Sequence, residues 1–410
     1  MPLPLRCRFV CSFVLAALFA GGLVAPPAAW AQDEEPATQK TSKQADEAAA
    51  KGTTDGGEAD ATQVPANGRV IVASNRAAVQ LQDADPRPVP PGTVFSYSIV
   101  NGPWLWSDVH WGWINRGDVV NLDEAEQHFT EIYEEALEAG DQKEARLALH
   151  HRGIARRDRG DLEEAYDDFN EATERGLESA EIRMNIADTL RQLGKLDEAL
   201  QVATEAIKTN PDSSQAHHIR ALVLFDQEQY DASLLDSDQA VKLDPENAAA
   251  VYSRGVTRRV MGQWRAAVED YTRALKVSPR YAEALSNRGY VLKRLGRFKE
   301  AVRDYERALK IRSDLAVVHN DLAWLLATCP DEQIRDPALA IKHGKLALET
   351  GGEENGHFLD TLAAAYASAG DFEKATELGL QAIELLDEAE QFAADQRVAL
   401  YVKGLPYVEK

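Results

Sequence analysis

The sequence predicts a mostly α-helical protein, in which a solenoid of stacked helix pairs follows a small all-β barrel. A constant interval of 34 residues separates small residues at Gly153, Ala187, Ala221, Gly255, Gly289 and Ala323. A second track keeps the same interval, at Ala172, Ala206, Ala240, Ala274 and Ala308. Before these repeats, the pattern changes to short runs rich in β-branched and aromatic residues. A period of this length is typical of helical repeat arrays, in which each unit buries its core against its neighbours.

Residues 1–31 have the pattern of a secretory signal peptide. A basic start and an apolar run from Phe9 to about Val24 precede the small residues Ala29 and Ala31, which suit a cleavage site. An uncleaved membrane anchor is the alternative, but the apolar run is short for a spanning helix. We therefore expect an exported protein, periplasmic or extracellular, with no membrane span after cleavage.

Composition restricts the partners of the chain. Its formal net charge of −22 opposes binding to nucleic acid, so we expect no nucleic-acid partner. Residues 32–67 contain almost no large apolar side chains, which predicts a disordered linker. Removal of residues 1–31 would leave Cys329 as the sole cysteine, so the fold should depend on hydrophobic burial and not on a disulfide.

Residues 68–120 are predicted to form the β barrel. Two β-rich runs, at residues 69–73 and 93–100, precede the hairpin turn signal Asn101–Gly102. Further pieces follow in the order Asn101–Gly102–x–Trp104, Gly112–Trp113–Ile114 and Asp118–Val119–Val120, after Gly92–Phe95. This order resembles a bacterial SH3-like domain. The resemblance implies a module that binds peptides or the cell wall.

Four tryptophans lie in this region: Trp104, Trp106, Trp111 and Trp113. Because alternate residues of a strand share a face, Trp104 and Trp106 should share one face, and Trp111 and Trp113 should share another. Some of the four must form the core of so small a domain. The others would line a groove for an extended peptide, and the sequence leaves open which tryptophans do so.

From Leu122 onward the sequence predicts helices only. A leading helix from Leu122 to about Ala139, within residues 121–145, precedes an array of about seven helix pairs over residues 146–386. The pairs are predicted to begin near Arg146, Ala180, Ser214, Ala248, Ala282, Ala316 and Gly356. Six extra residues after Ala323 predict a long turn at residues 329–337. A capping helix and a tail should occupy residues 387–410.

Every unit has the same internal order of residues. One copy consists of Gly255, Gly262, Ala267, Tyr271 and Ala274. The small residue lies in the first helix, a glycine marks the turn, and the Ala-x-x-x-aromatic spacing lies in the second helix. This pattern resembles the tetratricopeptide repeat (TPR). The resemblance implies a right-handed superhelix whose first helices line a concave groove for a peptide or partner protein.

The expected groove carries a basic stripe near the ends of successive first helices, at Arg157, Arg191, Phe225, Arg259 and Lys293. Aromatic residues lie at neighbouring groove positions, at Phe225, Tyr252, Tyr290 and Trp324. One hypothesis is that the stripe binds a carboxylate or an acidic peptide, since Arg offers forked hydrogen bonds. The alternative is that cations stabilise helix C-termini through the helix dipole.

A second set of charges repeats with the same period. Arg152, Arg220, Arg254 and Arg288 each lie 16 residues before an aspartate, at Asp168, Asp236, Asp270 and Asp304. We interpret these as ion pairs within each unit, because four identical copies would be hard to explain by catalysis. Such pairs contribute more to geometry than to stability.

The sequence shows no familiar catalytic motif, neither H-E-x-x-H, G-x-S-x-G nor a phosphate-binding loop. Cys329 lies in a turn without a neighbouring His, and the pairs His150–His151 and His217–His218 offer too few convergent ligands for zinc. We therefore predict no catalytic residue, no metal and no cofactor.

These observations together predict a non-enzymatic scaffold of the cell envelope. It would bind a peptide or partner protein in the TPR groove, with the SH3-like barrel as a second contact. The alternative is a peptidoglycan-targeted accessory protein or enzyme regulator. A third hypothesis is self-assembly through stacked ends of the array.

Overall fold

A computed structural model describes residues 68–74, 77–80, 86–89, 91–101, 104–107, 112–352 and 354–409. The predicted signal peptide and linker lie outside these residues. The chain divides into two compact units, residues 1–247 (unit 1) and 248–410 (unit 2). No helix among the described residues is both long and apolar enough to cross a membrane.

Unit 1 begins with an antiparallel sheet. Its strands are β1 (Gly68–Val72), β2 (Ala78–Val79), β3 (Arg87–Pro88), β4 (Val94–Asn101), β5 (Trp104–Ser107), β6 (Gly112–Asn115) and β7 (Val119–Asn121). Five of them are ordered β6–β5–β4–β1–β7, while β2 pairs with β3. Alternate residues of the strands enter one core, which contains Val70, Val72, Phe95, Leu105 and Ile114.

Helices fill the rest of unit 1: α1 (Leu122–Ala139), α2 (Gln142–Arg159), α3 (Leu162–Glu174), α4 (Ala180–Gln192), α5 (Leu196–Thr209), α6 (Ser214–Asp226) and α7 (Tyr230–Leu243). Helix α2 begins at Gln142 and not near Arg146. The reason is that the Asp141 side chain caps it, accepting hydrogen bonds from the N–H groups of Lys143 and Glu144.

The sheet and the first helices of unit 1 share a core. Ile71 of β1 belongs to the same buried cluster as Phe129 of α1 and Leu149 of α2. Gly92 lies so close to α2 that an added Cβ would meet the His151 ring at 3.0 Å and Ile154 at 3.1 Å. The β region is therefore packed against the first helices.

Unit 2 contains α8 (Ala248–Val260), α9 (Trp264–Val277), α10 (Ala282–Arg294), α11 (Phe298–Ile311), α12 (Ala316–Thr328), α13 (Pro337–Gly351), α14 (Gly356–Ser368), α15 (Phe372–Leu385) and α16 (Glu388–Tyr401). The long turn between α12 and α13 is held by Arg335, whose Nη1 donates to the Cys329 carbonyl at 3.1 Å. Asp336 then caps α13 by accepting from the Leu339 N–H.

The 34-residue beat of small residues has a steric cause. At Gly153 in unit 1, an added Cβ would come within 2.6 Å of the Phe169 ring. At Gly289 in unit 2, it would come within 2.9 Å of the Tyr305 ring. The aromatic ring of each second helix thus occupies the space that a side chain on the first helix would need. The predicted fold class, a helical repeat solenoid preceded by a small β region, is confirmed.

Candidate functional site

We call the groove face the side of each first helix formed by residues one, four and five positions after the small residue of the beat. These residues share one side because of the helical period. In unit 1 they are Ile154, Arg157, Asp158, Asp188, Arg191, Gln192, Leu222, Phe225 and Asp226. In unit 2 they are Val256, Arg259, Val260, Tyr290, Lys293, Arg294, Trp324, Ala327 and Thr328.

The basic residues on the groove face of unit 1 are paired with neighbouring side chains. Arg157 Nη1 donates to Asn185 Oδ1 at 2.9 Å and lies 3.8 Å from the Asp188 carboxylate. Arg191 lies between Asp188 and Asp226, at 3.0 and 2.8 Å, and is only 7% exposed. Burial opposes ionisation of Asp188, but the charges of Arg191 and Arg157 hold its pKa below the usual value. Two members of the predicted basic stripe are therefore neutralised within the protein.

The β region covers the groove face of the first repeat. Asp158 accepts a hydrogen bond from Arg69 Nη2 of β1 at 2.7 Å, and the two side chains form an ion pair. Ile154 is buried next to Gly92. Phe225, further along unit 1, is also buried and contacts the Tyr230 ring edge-on. This face of unit 1 offers few unsatisfied groups to a ligand.

The groove face of unit 2 differs, since its cations contact an aromatic ring. The Arg259 guanidinium and the Lys293 ammonium lie 5.6 and 5.7 Å from the centre of the Tyr290 ring. Within the described part of unit 2, we find no carboxylate at ion-pair distance from either cation. Cation–π contacts of this kind leave N–H donors available for a carboxylate.

Two polar side chains of α12 border this aromatic and cationic surface. Burial raises the pKa of Asp321, although the charges of Lys293 and Arg259 act against this shift. Asn320 Oδ1 is buried and has no hydrogen-bond donor among the described residues. A ligand N–H group would satisfy this oxygen.

Tyr252, which the sequence placed in the groove, has a mainly structural environment. It is buried, its hydroxyl accepts a hydrogen bond from Asn287 Nδ2 at 2.8 Å, and its ring packs against Tyr281. Burial raises its pKa, so the hydroxyl stays neutral. Tyr252 supports the surface around Tyr290 from below.

Trp324 contacts a segment that follows the last helix. We call residues Leu405–Glu409 the tail segment. Trp324 Nε1 donates to Glu409 Oε2 at 3.2 Å, and its ring lies 5.8 Å from the Tyr407 ring. The Arg397 guanidinium lies 5.5 Å from the Trp324 ring centre. The sequence analysis treated the tail as a polar end, and only the Pro406-Tyr407-Val408-Glu409 pattern could have indicated this contact.

The predicted ion pairs within the repeats are confirmed. Arg152–Asp168, Arg220–Asp236, Arg254–Asp270 and Arg288–Asp304 have N···O distances of 2.6, 2.6, 2.5 and 2.7 Å. Two of the aspartates have a second cation, since Arg156 lies 2.9 Å from Asp168 and Arg258 lies 2.8 Å from Asp270. These charges join the two helices of a unit.

The predicted tryptophan cluster is described only in part. Trp104 is partly buried, and its neighbour Leu105 pairs with Ile114 in the core. The backbone register pairs Trp106 with Trp113. Trp111 lies outside the described residues. Phe95 and aliphatic residues form the described core of the sheet.

The titratable residues considered for catalysis have structural surroundings. Asn185 Nδ2 donates to His150 Nε2 at 2.8 Å, and burial lowers the pKa of His150 to about 3. Burial raises the pKa of the Cys329 thiol, which disfavours the nucleophilic thiolate. Within the described residues, no group of three or more His, Cys, Asp and Glu side chains could hold a metal ion.

Comparisons with known proteins identify the repeat. A family model for the tetratricopeptide repeat matches residues 150–214 and 252–316. No curated protein matches the chain. A chain of the APC/C hetero-tetramer Cut9–Hcn1 is similar, with a TM-score of 0.52 and 15% identity over 58% of this chain. The match spans 46% of that chain, less than half of its length.

Two bacterial structures cover shorter or looser matches. For pilF of Pseudomonas aeruginosa the TM-score is 0.47, with 19% identity over 53% of this chain and 96% of that chain. For a tetratricopeptide repeat protein from Parabacteroides merdae, the values are 0.43, 18%, 63% and 98%. At the identity of the Cut9–Hcn1 match, similarity shows the fold alone. The helical part of the chain therefore carries tetratricopeptide repeats, the fold of protein–protein interaction scaffolds.

Proposed function

We propose that this chain is an exported, non-enzymatic scaffold that binds an extended segment of a partner protein on the groove face of unit 2. The observation that carries this proposal is the surface around Tyr290, where two cations lie within 6 Å of the ring centre. Repeat solenoids present extended concave surfaces for binding. The equivalent cations of unit 1 are paired internally, which favours unit 2 as the binding face.

The chemistry of this surface favours a partner segment with carboxylates and an aromatic or apolar side chain. Arg259 offers a forked set of donors, which suits a carboxylate, and Lys293 adds a second charge. Tyr290 offers a partly exposed ring for an apolar contact. The buried Asn320 Oδ1 would accept a backbone N–H from the bound segment.

The β region would supply a second contact. The resemblance of residues 92–120 to an SH3-like domain supports this role, since such a module binds short peptides or cell-wall fragments. A second contact raises the effective concentration of a partner at the groove. Export rests on the signal-like composition of residues 1–31.

A peptide array tests the groove proposal. The purified chain is applied to decapeptides that differ in acidic, basic and aromatic content. We expect preference for peptides that combine carboxylates with an aromatic residue. The variant Arg259→Gln/Lys293→Gln should lose this preference by about tenfold in affinity, or about 1.4 kcal/mol.

The matched control is Lys299→Gln/Arg307→Gln, which removes the same charge from exposed positions on α11. This control should bind as the unchanged chain does. Equal binding of acidic and basic peptides by all three proteins would contradict the proposal. Sedimentation with purified peptidoglycan, abolished by Trp104→Ala, would instead support the cell-wall alternative for the β region.

A further inference from the structure

The tail segment is attached to the rest of unit 2 at both ends. At its start, Gly404 adopts a φ of +70°, and the Leu405 N–H donates to the Leu400 carbonyl at 3.0 Å, so the chain turns away from α16. At its end, the Glu409 N–H donates to the Thr328 carbonyl of α12 at 2.8 Å. Between these bonds the segment is neither helix nor strand. An extended stretch therefore crosses the end of α12.

Two side chains of the tail segment, two residues apart, contact the groove face. The Tyr407 ring lies beside Trp324, and the Arg397 guanidinium lies 5.8 Å from the Tyr407 ring centre. The Glu409 carboxylate accepts the Trp324 indole N–H at 3.2 Å. Side chains two residues apart point to the same side of an extended chain. This is the geometry expected of a bound extended peptide.

The rest of the segment makes little use of the protein interior. Leu405 is 50% exposed and Val408 is 38% exposed, and Pro406 is also exposed. Tyr407 is partly buried against the cluster that includes Tyr366 and Tyr401. A segment anchored by two side chains, with its apolar residues in solvent, is weakly held and open to exchange.

The surroundings of Glu409 already accommodate acidic groups. Burial, and to a smaller extent the Glu409 charge, raises the pKa of Asp321, while the Lys293 and Arg259 charges lower it. Glu409 is therefore close enough to sense the same electrostatic environment as the two cations beside Tyr290. The carboxylate of the tail lies at one end of the surface where the proposed partner carboxylates would bind.

We propose that the tail segment is an internal ligand of the groove face, which a partner segment with an aromatic residue and a carboxylate two positions later displaces from Trp324. This inference rests on the proposed function and defines both the ligand pattern and its regulation. The partner competes with a segment that is always present at high effective concentration. Occupied by the tail, the site binds the partner weakly, and release of the tail exposes Trp324.

Binding of a fluorescein-labelled hexapeptide with the sequence of residues 405–410 tests the proposal. Its anisotropy is titrated with three proteins: the unchanged chain, a variant ending at Gly404, and the point variant Tyr407→Ala/Glu409→Gln. We expect the two variants to bind the hexapeptide at least tenfold more tightly than the unchanged chain. Circular dichroism and the thermal midpoint show whether each variant is folded, and the point variant keeps the test valid if truncation unfolds α16.

The peptide itself supplies the matched controls. Replacing its tyrosine by alanine, or its glutamate by glutamine, should weaken binding to the folded variants, whereas replacing its leucine, equivalent to the exposed Leu405, should not. Trp324→Phe removes the indole donor and should lose the preference for glutamate over glutamine.

Each outcome separates the two proposals. If folded tail variants bind acidic aromatic array peptides but not the hexapeptide, the internal-ligand inference is wrong and the groove function stands. If they bind neither, both are wrong. Equal affinity of the hexapeptide for the unchanged chain and for the variants would overturn the inference that the tail competes. A mass that rises with concentration for the unchanged chain alone would show exchange of tails between copies and would overturn the proposal of a partner ligand.

Discussion

Equivalent positions on the groove faces of the two units carry opposite chemistry. In unit 1, the position after the small residue of the beat holds Asp188, and its carboxylate pairs with Arg191. The equivalent position in unit 2 holds Tyr290, whose ring contacts Arg259 and Lys293. The comparison teaches that a basic stripe alone does not define a binding site. The residue next to each cation decides whether its charge is used inside the protein or remains available to a ligand.

The largest predicted difference between the units is their response to acid. Burial lowers the pKa values of three unit 1 histidines, to about 3 for His150 and to about 4 for His151 and His218. An unfolded His binds its proton near pH 6.5, so the unfolded state gains protons first as pH falls. Stability is therefore complete above pH 6.5 and is lost toward pH 4, by roughly 2 kcal/mol per histidine between pH 6.5 and 5.

Unit 2 should resist acid better, because two of its groups shift in the opposite direction. Burial raises the pKa values of Asp321 and Asp360, so the folded state takes up these protons more readily than the unfolded state. His343, with a pKa lowered to about 4, offsets part of this gain. Hydrogen exchange of the two units, measured by mass spectrometry at pH 7 and pH 5, checks the difference. Equal loss of protection in both units would contradict it.

The next prediction removes the acidic partner that distinguishes unit 1. Asp188→Ala leaves Arg191, which is 7% exposed, with Asp226 alone, and leaves Arg157 without its carboxylate. Removing one member of a buried ion pair costs about 3–5 kcal/mol. Urea unfolding followed by circular dichroism should show an earlier loss of part of the helical signal.

Glu178→Ala is the matched control, since this exposed glutamate lies in the same unit. It should change the free energy of unfolding by less than about 0.5 kcal/mol. If Asp188→Ala is as mild as the control, the Arg157 and Arg191 charges are not held by Asp188, and the contrast between the two units fails.

Sequence patterns were sufficient for the fold because the constraints on it are local and periodic. Gly153 and Gly289 recur because an aromatic ring fills the space above each of them, and this contact repeats with the chain. The Arg152–Asp168 spacing could be read in the same way. The candidate site depends on contacts with no fixed spacing. Trp324 meets Glu409, 85 residues away, and Asp158 meets Arg69, 89 residues away.

The basic stripe shows the limit of equivalent positions. Arg191 and Lys293 occupy the same place in their repeats, and the sequence analysis assigned them one role. Arg191 is paired because Asp188 and Asp226 lie at two other groove-face positions. Reading all the groove-face positions together, instead of one track at a time, would have separated the two units from the sequence.

The smallest expected change in stability comes from giving unit 2 the chemistry of unit 1. Tyr290→Asp places a carboxylate between Arg259 and Lys293, at the position equivalent to Asp188. The new ion pairs replace cation–π contacts that are worth about 0.5–1 kcal/mol each at exposed sites, so the free energy of unfolding should change by less than about 1 kcal/mol. Affinity for acidic aromatic peptides should nevertheless fall at least tenfold, because the internal carboxylate competes for the same donors. Tyr290→Asn, which has nearly the same shape without the charge, separates loss of the ring from neutralisation of the cations. If the Asn variant loses as much affinity as the Asp variant, the ring alone carries binding, and the charge difference between the units has no functional consequence.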